Sequence, residues 1–404
     1  MPRGIQRALF AALLMTTPTL SLAKEYTITV TARDHDYIEA PVRAIIEKPT
    51  PADFGGATLR RSGVILPAQS RKVGDKAEVL FIVDSLKKGE SVKLSLTLEP
   101  TRRNPPEPNV KITETGKNLD IKINGEPFTV YDTTTGPNKP YFYPIFAPGG
   151  KRVTRRYPIE LVSDEERDHP HHRGMWFTHG EVSGDDYWSE AATAAATYNR
   201  SFEEIISGPV YGYFRARTDW IGNDGKKDAE DTREVWIYNV KNGRIIDIDT
   251  TVRATTGPVV FGDTKEGAFG IRLPDTMRVK GGGGHIENSK GVKDADTWGK
   301  RAEWVDYYGP VEGQTVGVAI LDHPLNLRHP TYWHVRDYGL FAVNPFGIHD
   351  FEKGQTKGVG DFTIPNGGLQ IFRYRVFLHR GTTSEANLPA AWAAYSSPPT
   401  VEVQ

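Results

Sequence analysis

The chain has 404 residues, with 50 Lys+Arg against 51 Asp+Glu and a formal net charge of −1. That balance argues against nucleic-acid binding, which needs a strongly basic face, and leaves only a local basic patch open. Zero cysteine removes thiolate nucleophiles, cysteine-based zinc sites and iron–sulfur clusters. With 40 Gly and 28 Pro and no collagen-like period, the composition is that of a loop-rich β protein.

In chain order, residues 1–23 read as a secretory signal. Arg3 and Arg7 supply the positive start, 8–15 is a short apolar run, and Ser21-Leu22-Ala23 fits a small-residue cleavage site. The run is too short to span a bilayer and no other long apolar stretch follows. A periplasmic or secreted protein is therefore expected, with no integral membrane segment in the mature chain. Alternating strand patterns follow at 27–32, 78–86 and 92–98, bounded by Gly74-Asp75 and Lys88-Gly89. They predict a small Ig-like β-sandwich over 24–104. Residues 99–108, EPTRRNPPEP, form an extended proline-rich boundary.

The remainder, 105–404, reads as one large antiparallel β-sandwich. Strand 119–123 runs into the hairpin signal Asn124-Gly125. Further strands are predicted at 211–221, 234–240, 245–254, 315–321 and 369–379. In 245–254 the residues Ile246, Ile248, Thr250 and Val252 share one face, and Asp247, Asp249 and Arg253 the other. Helix is predicted only at the alanine-rich 189–197 and at 389–395. The glycine run 281–284 is a loop and not a phosphate cradle, since no Lys-Ser/Thr follows.

Eight of the eleven histidines lie in two windows, DHPHHRGMWFTHGEVSGDDYW from Asp168 and DHPLNLRHPTYWHVRDYGLFAVNPFGIH from Asp322. Histidine titrates near neutral pH and is the commonest metal ligand, so one polar site assembled from both windows is expected. If 169–173 is extended, His169, His171 and Arg173 share a face and His172 points away. In the second window His334, Arg336 and Tyr338 are in phase. Trp176, Trp188, Tyr187, Tyr332 and Trp333 offer flat apolar faces with polar tips, which suit sugar rings. No GxSxG elbow, HExxH helix or dinucleotide fingerprint is present.

The strings KPYFYPIFAPGGKRVTR, DHPHHRGMWFTHGEVSGDDYW, EGAFGIRL, RAEWVDYYGP and DHPLNLRHPTYWHVRDYGLFAVNPFG, spanning 139–347, resemble the bacterial PmoA-like family. That family is named after a methane monooxygenase subunit, a membrane-embedded multi-helix protein. A mature chain without a span does not fit methane oxidation. The fold the resemblance implies is the galactose-mutarotase-like β-supersandwich of aldose epimerases and polysaccharide-active enzymes.

The chain is accordingly expected to be an exported carbohydrate-active enzyme, a lyase, epimerase or hydrolase working at or beside the anomeric carbon. The expected catalytic residues are His172, His179, His334, Tyr338 and Glu266. The expected substrate-binding residues are Arg173, Arg336, Trp176, Asp186, Trp188, His323 and Trp333. Two alternatives stay open. One is a non-catalytic glycan-binding module. The other is a metalloenzyme holding a divalent ion through His169, His171 and His323.

Overall fold

The computed structural model describes residues 24–49, 56–99, 107–136 and 138–404. The expected signal, 1–23, and most of the proline-rich boundary lie outside the described residues. The chain is all-β, as the alternating patterns require, with antiparallel sheets throughout. Among the described residues, no helix is long and apolar enough to cross a membrane.

The large sandwich packs a ten-stranded sheet on an eight-stranded one. Alternation decides which side of each strand enters the core between them. In Gly243–Arg253, Ile246, Ile248 and Val252 are buried in the core, while Asp247 and Asp249 take the other face. In Met175–His179 the core residues are Met175 and Phe177, and in Thr331–Val335 they are Trp333 and Val335. The alternate residues of these strands, Trp176 and His334 among them, face away from the eight-stranded sheet.

The small sandwich has its own core of Ile28, Val30, Leu59, Phe81, Leu94 and Leu96. Its three-stranded sheet lies against the outer face of the eight-stranded one. There Leu80 packs with Tyr211, Tyr213 and Trp236, and Gln69 Oε1 accepts the backbone N–H groups of Val210 and Tyr211 at 3.3 and 3.2 Å.

Two expectations are corrected. The alanine-rich 189–197 is not a helix: its first part is turns and its end enters the strand Ala196–Ile206. Pairing along Tyr211–Ile221 outweighs a weak helical preference too short to nucleate. The larger unit does not run to residue 404 either. Thr400–Val403 returns to the small sandwich and pairs with Lys24–Thr31, because its backbone completes an edge there. The terminal helix does form, as Leu388–Ser396.

Candidate active site

Four strands build the floor. Their register aligns Trp176 with Gly270, Gly270 with Ala342, and Ala342 with His334. This row lies on the outward face of the ten-stranded sheet. Gly270 is small for a reason: a Cβ there would come within 3.2 Å of both the Trp176 and Trp188 rings. Trp176 and Trp188 pack against each other, centroids 4.9 Å apart, and are buried.

Over this floor sits a cleft of about 260 Å³, lined by His169, His171, Asp186, Trp188, Glu266 and Tyr338 together with Gly180, Ser189 and Thr264. The two histidine windows thus meet, with Tyr338 from the second facing His169 and His171 from the first. A larger cavity of about 560 Å³ lies between the terminal helix and the small sandwich. Its walls mix alanines and aliphatic side chains with Glu39, Arg375, His379, Arg380 and Glu385, and it contains neither window.

The segment before Met175 is a loop and not a strand, which overturns the expected alternation of 169–173. His169 adopts a left-handed backbone, φ 43°, and its ring turns back onto His172. His169 stacks in parallel on His172 at 4.8 Å and on Tyr338 at 4.9 Å, both within 6°. The imidazole is held between the two rings. Asp168 Oδ2 lies 2.8 Å from His169 Nδ1, so Nδ1–H donates to the carboxylate and Nε2 is left basic.

Asp168 is itself fixed. Arg272 Nη2 donates to its Oδ1 at 2.7 Å, and Arg155 reaches the same oxygen. Burial opposes its charge, but His169 and the two guanidiniums hold its carboxyl well below the usual range. Arg272 also donates to His172 Nδ1 at 3.0 Å. His172 is almost fully buried, and burial with the neighbouring cations pushes it far down. It is a neutral ring supporting His169, not the proposed acid or base.

His334 is also neutral. Burial, followed by Arg336, lowers it to about 3. Trp298 Nε1–H donates to Nδ1 at 2.9 Å, so the proton sits on Nε2. It can donate a hydrogen bond but cannot supply an imidazolium. Tyr338 is pushed up to about 12 by burial, and its ring carries the guanidiniums of Arg272 at 4.9 Å and Arg336 at 5.5 Å. Glu266 lies beside Lys265, Nζ to Oε1 3.2 Å.

Several expected site residues are elsewhere or occupied. His179 is wholly buried, in phase with Met175 and Phe177; its Nε2–H donates to the Gly262 carbonyl at 2.7 Å and its ring packs on Phe346. Trp333 is core, with Nε1–H bonded to the Ala302 carbonyl at 3.0 Å. His323 lies in a separate cleft with Arg373, Arg375 and Tyr395. Hence His169, His171 and His323 form no ligand set, and among the described residues no three His, Asp or Glu side chains converge as metal ligands do. Arg173 is tied to Glu190, Nε to Oε1 2.8 Å. Asp186 lines the cleft but closes a turn, accepting Trp188 N and Ser189 N at 2.8 and 3.0 Å.

Residues 118–393 match a protein family described as "Family of unknown function (DUF6807)". The chain belongs to the DUF6807 family. No curated protein matches it. Among solved structures it is similar to a protein in glycosyl hydrolase family 38 from Enterococcus faecalis, with 12% identity and a TM-score of 0.44, over 94% of this chain and 47% of that one. The chain thus spans about half the length of that structure. In this DUF6807 chain His169, expected only as an alternative metal ligand, lines the cleft beside Tyr338. The Asp-His adjacency at 168–169 was the available signal. Arg155, Glu190 and Trp298 lie outside the two windows, Arg155 at the end of the string KPYFYPIFAPGGKRVTR.

Proposed function

We propose that the cleft is the active site of a carbohydrate-active enzyme that moves protons at or beside the anomeric carbon. One observation carries this reading: the His169 ring, oriented by Asp168 and stacked face to face on Tyr338, places a basic nitrogen next to a phenol. His169 Nε2 takes a proton from a sugar C–H or hydroxyl. Tyr338 gives one to the departing or rearranging oxygen. The Nε2–H of His334 and the Arg336 guanidinium stabilise the negative charge that develops. Trp188 supplies a ring face. Proton number is unchanged over such a cycle, as in lyase or epimerase chemistry.

Hydrolysis by a carboxylate pair fits less well. Of the two lining carboxylates, Asp186 spends both oxygens on its own turn, the second on Ser189 Oγ at 2.5 Å. The resemblance to the PmoA-like family belongs to this proposal, with sugar and not methane as the substrate.

The test is turnover of a panel of neutral and acidic oligosaccharides by the full chain, followed by mass spectrometry and proton NMR. The H169A and Y338F variants should each lose about 100-fold or more in turnover, with an unchanged circular dichroism spectrum. Undiminished turnover in both variants would remove this site. Tight binding of one glycan with turnover of none would make the protein a glycan-binding module instead.

A further inference from the structure

Cations gather around the cleft, whose own lining carries two carboxylates, Asp186 and Glu266. Asp168 is shared by two cations, Arg155 and Arg272, both completely buried. Glu190 is shared by two more, Arg173 and Lys139, at 2.8 and 3.3 Å. Burial lowers Lys139 to about 8, which leaves it mostly charged at neutral pH. Each trio therefore carries one surplus positive charge. Lys265 and Glu266 cancel. Arg336 adds a further cation: among the described residues it makes no ion pair, and it lies across the Trp298 and Tyr338 rings at 5.7 and 5.5 Å. Against these cations stand Asp186 in the cleft lining and, outside it, Asp275 and Asp337.

The neighbouring imidazoles register the same field. His171 is lowered to about 4 by burial, then by Lys139 and His169. Arg336 and Lys265 act on His334 in the same direction.

The hydrogen-bond count leans the same way. Around the cleft floor, four buried nitrogens have no partner: Nε1 of Trp176, Nε1 of Trp188, Nε2 of His172 and Nε of Arg272. Arg272 donates to Nδ1 of neutral His172, so the orphan Nε2 carries the proton, and all four are donors. Trp188 lines the cleft directly. Buried polar groups are nearly always paired. For these four the missing partners are acceptors, while the nearby orphan Nδ1 of His179 lacks a donor.

We infer that the substrate is an anionic sugar, bearing a carboxylate or a sulfate ester, whose charged group is taken by the Arg336 guanidinium against the Trp298 and Tyr338 rings. A guanidinium matches either oxyanion through its planar fork, and an aromatic platform leaves that fork unspent on protein partners. This rests on the active-site reading above and adds the charge class of the substrate.

The experiment is calorimetric binding of size-matched oligosaccharides to the full chain: neutral, uronate and sulfated series, each at low and high salt. At low salt one anionic series should bind at least tenfold tighter than the neutral one, and the advantage should shrink as salt screens it. R336Q should remove most of that advantage. R336K, which keeps the charge without the fork, should restore part of it and guards against a folding defect in R336Q. Preference for uronate or for sulfate tells which oxyanion is taken, and either supports the inference. Neutral glycans bound as tightly as both anionic series, or an R336Q variant with its preference intact, overturns it. Turnover of a neutral glycan that H169A abolishes would discard the anionic class and leave the active-site reading standing. Binding of no glycan overturns both.

Discussion

Asp168 is the residue on which the site's geometry depends. Its carboxylate orients His169 and neutralises two guanidiniums with no exposure of their own. Replacing it with asparagine keeps the shape and removes the charge. Arg155 then retains no anionic partner, only a neutral amide and the backbone carbonyls of Tyr157, Glu166, Asp168 and His169. Arg272 is left against a neutral amide. Removing one partner of a buried ion pair costs about 3–5 kcal/mol. D168N should therefore lower unfolding stability by that order in urea titration and slow turnover as well, since His169 loses its tautomer control. A loss below about 1 kcal/mol would mean the guanidiniums find other partners. At this scale the sequence was partly legible. The density of charged and aromatic residues marked the loop, but the left-handed turn at His169 reverses which ring faces the cleft. Strand phase would have removed His179 and Trp333 from the site, because His179 shares a face with Met175 and Phe177 in MWFTH, and Trp333 with Val335 in TYWHV.

The site's floor is a property of strand register rather than of any one side chain. Trp176, Gly270, Ala342 and His334 line up only because four antiparallel strands are paired in that order. Position 270 must stay small for the row to hold two indoles. In G270V the added Cβ alone would sit 3.2 Å from both ring systems, and the methyl groups extend beyond it. Overpacking of this kind costs about 1–3 kcal/mol, and Trp188, which borders the cleft, is the ring with room to yield. The variant should fold with that penalty, lose glycan affinity, and show a red-shifted tryptophan emission as an indole moves toward water. Unaltered emission and affinity would show that the pair relaxes without entering the cleft. Most strands here were readable from period-two alternation: 211–221 was placed to the residue, and 369–379 missed its strand by one. Register was not readable, because pairing partners lie far apart in the chain, as Asp247 and Arg375 do. The C-terminal return to the first strand was hidden for the same reason.

Across the whole molecule, folding buries imidazoles from both windows in neutral form. Burial lowers His179, His323 and His171 to about 4, and His334 to about 3. In the unfolded chain each titrates near 6.5. Between about pH 6.5 and 4 the unfolded state thus holds more protons than the folded one, and stability falls as pH drops. Above pH 6.5 both states are neutral at these sites and the contribution is flat. Carboxylates held below their usual range, such as Asp168, lose their stabilisation only at still lower pH, so the histidine window is separate. His379 works in the opposite sense. Burial alone would lower it, but Asp306, with Oδ1 3.0 Å from its Nε2, raises it. Its stabilisation is complete below its unfolded value and is lost as pH rises through the folded one. Stability should therefore peak near neutrality and decline on both sides. The urea midpoint measured from pH 7.5 to 4 should drop steadily below about 6.5. H179Q and H334Q should each flatten that limb, since each removes one proton-binding difference. A midpoint independent of pH over the acidic limb would mean these imidazoles are charged in the fold, and the neutral His334 donor assigned to the cleft would fall with it.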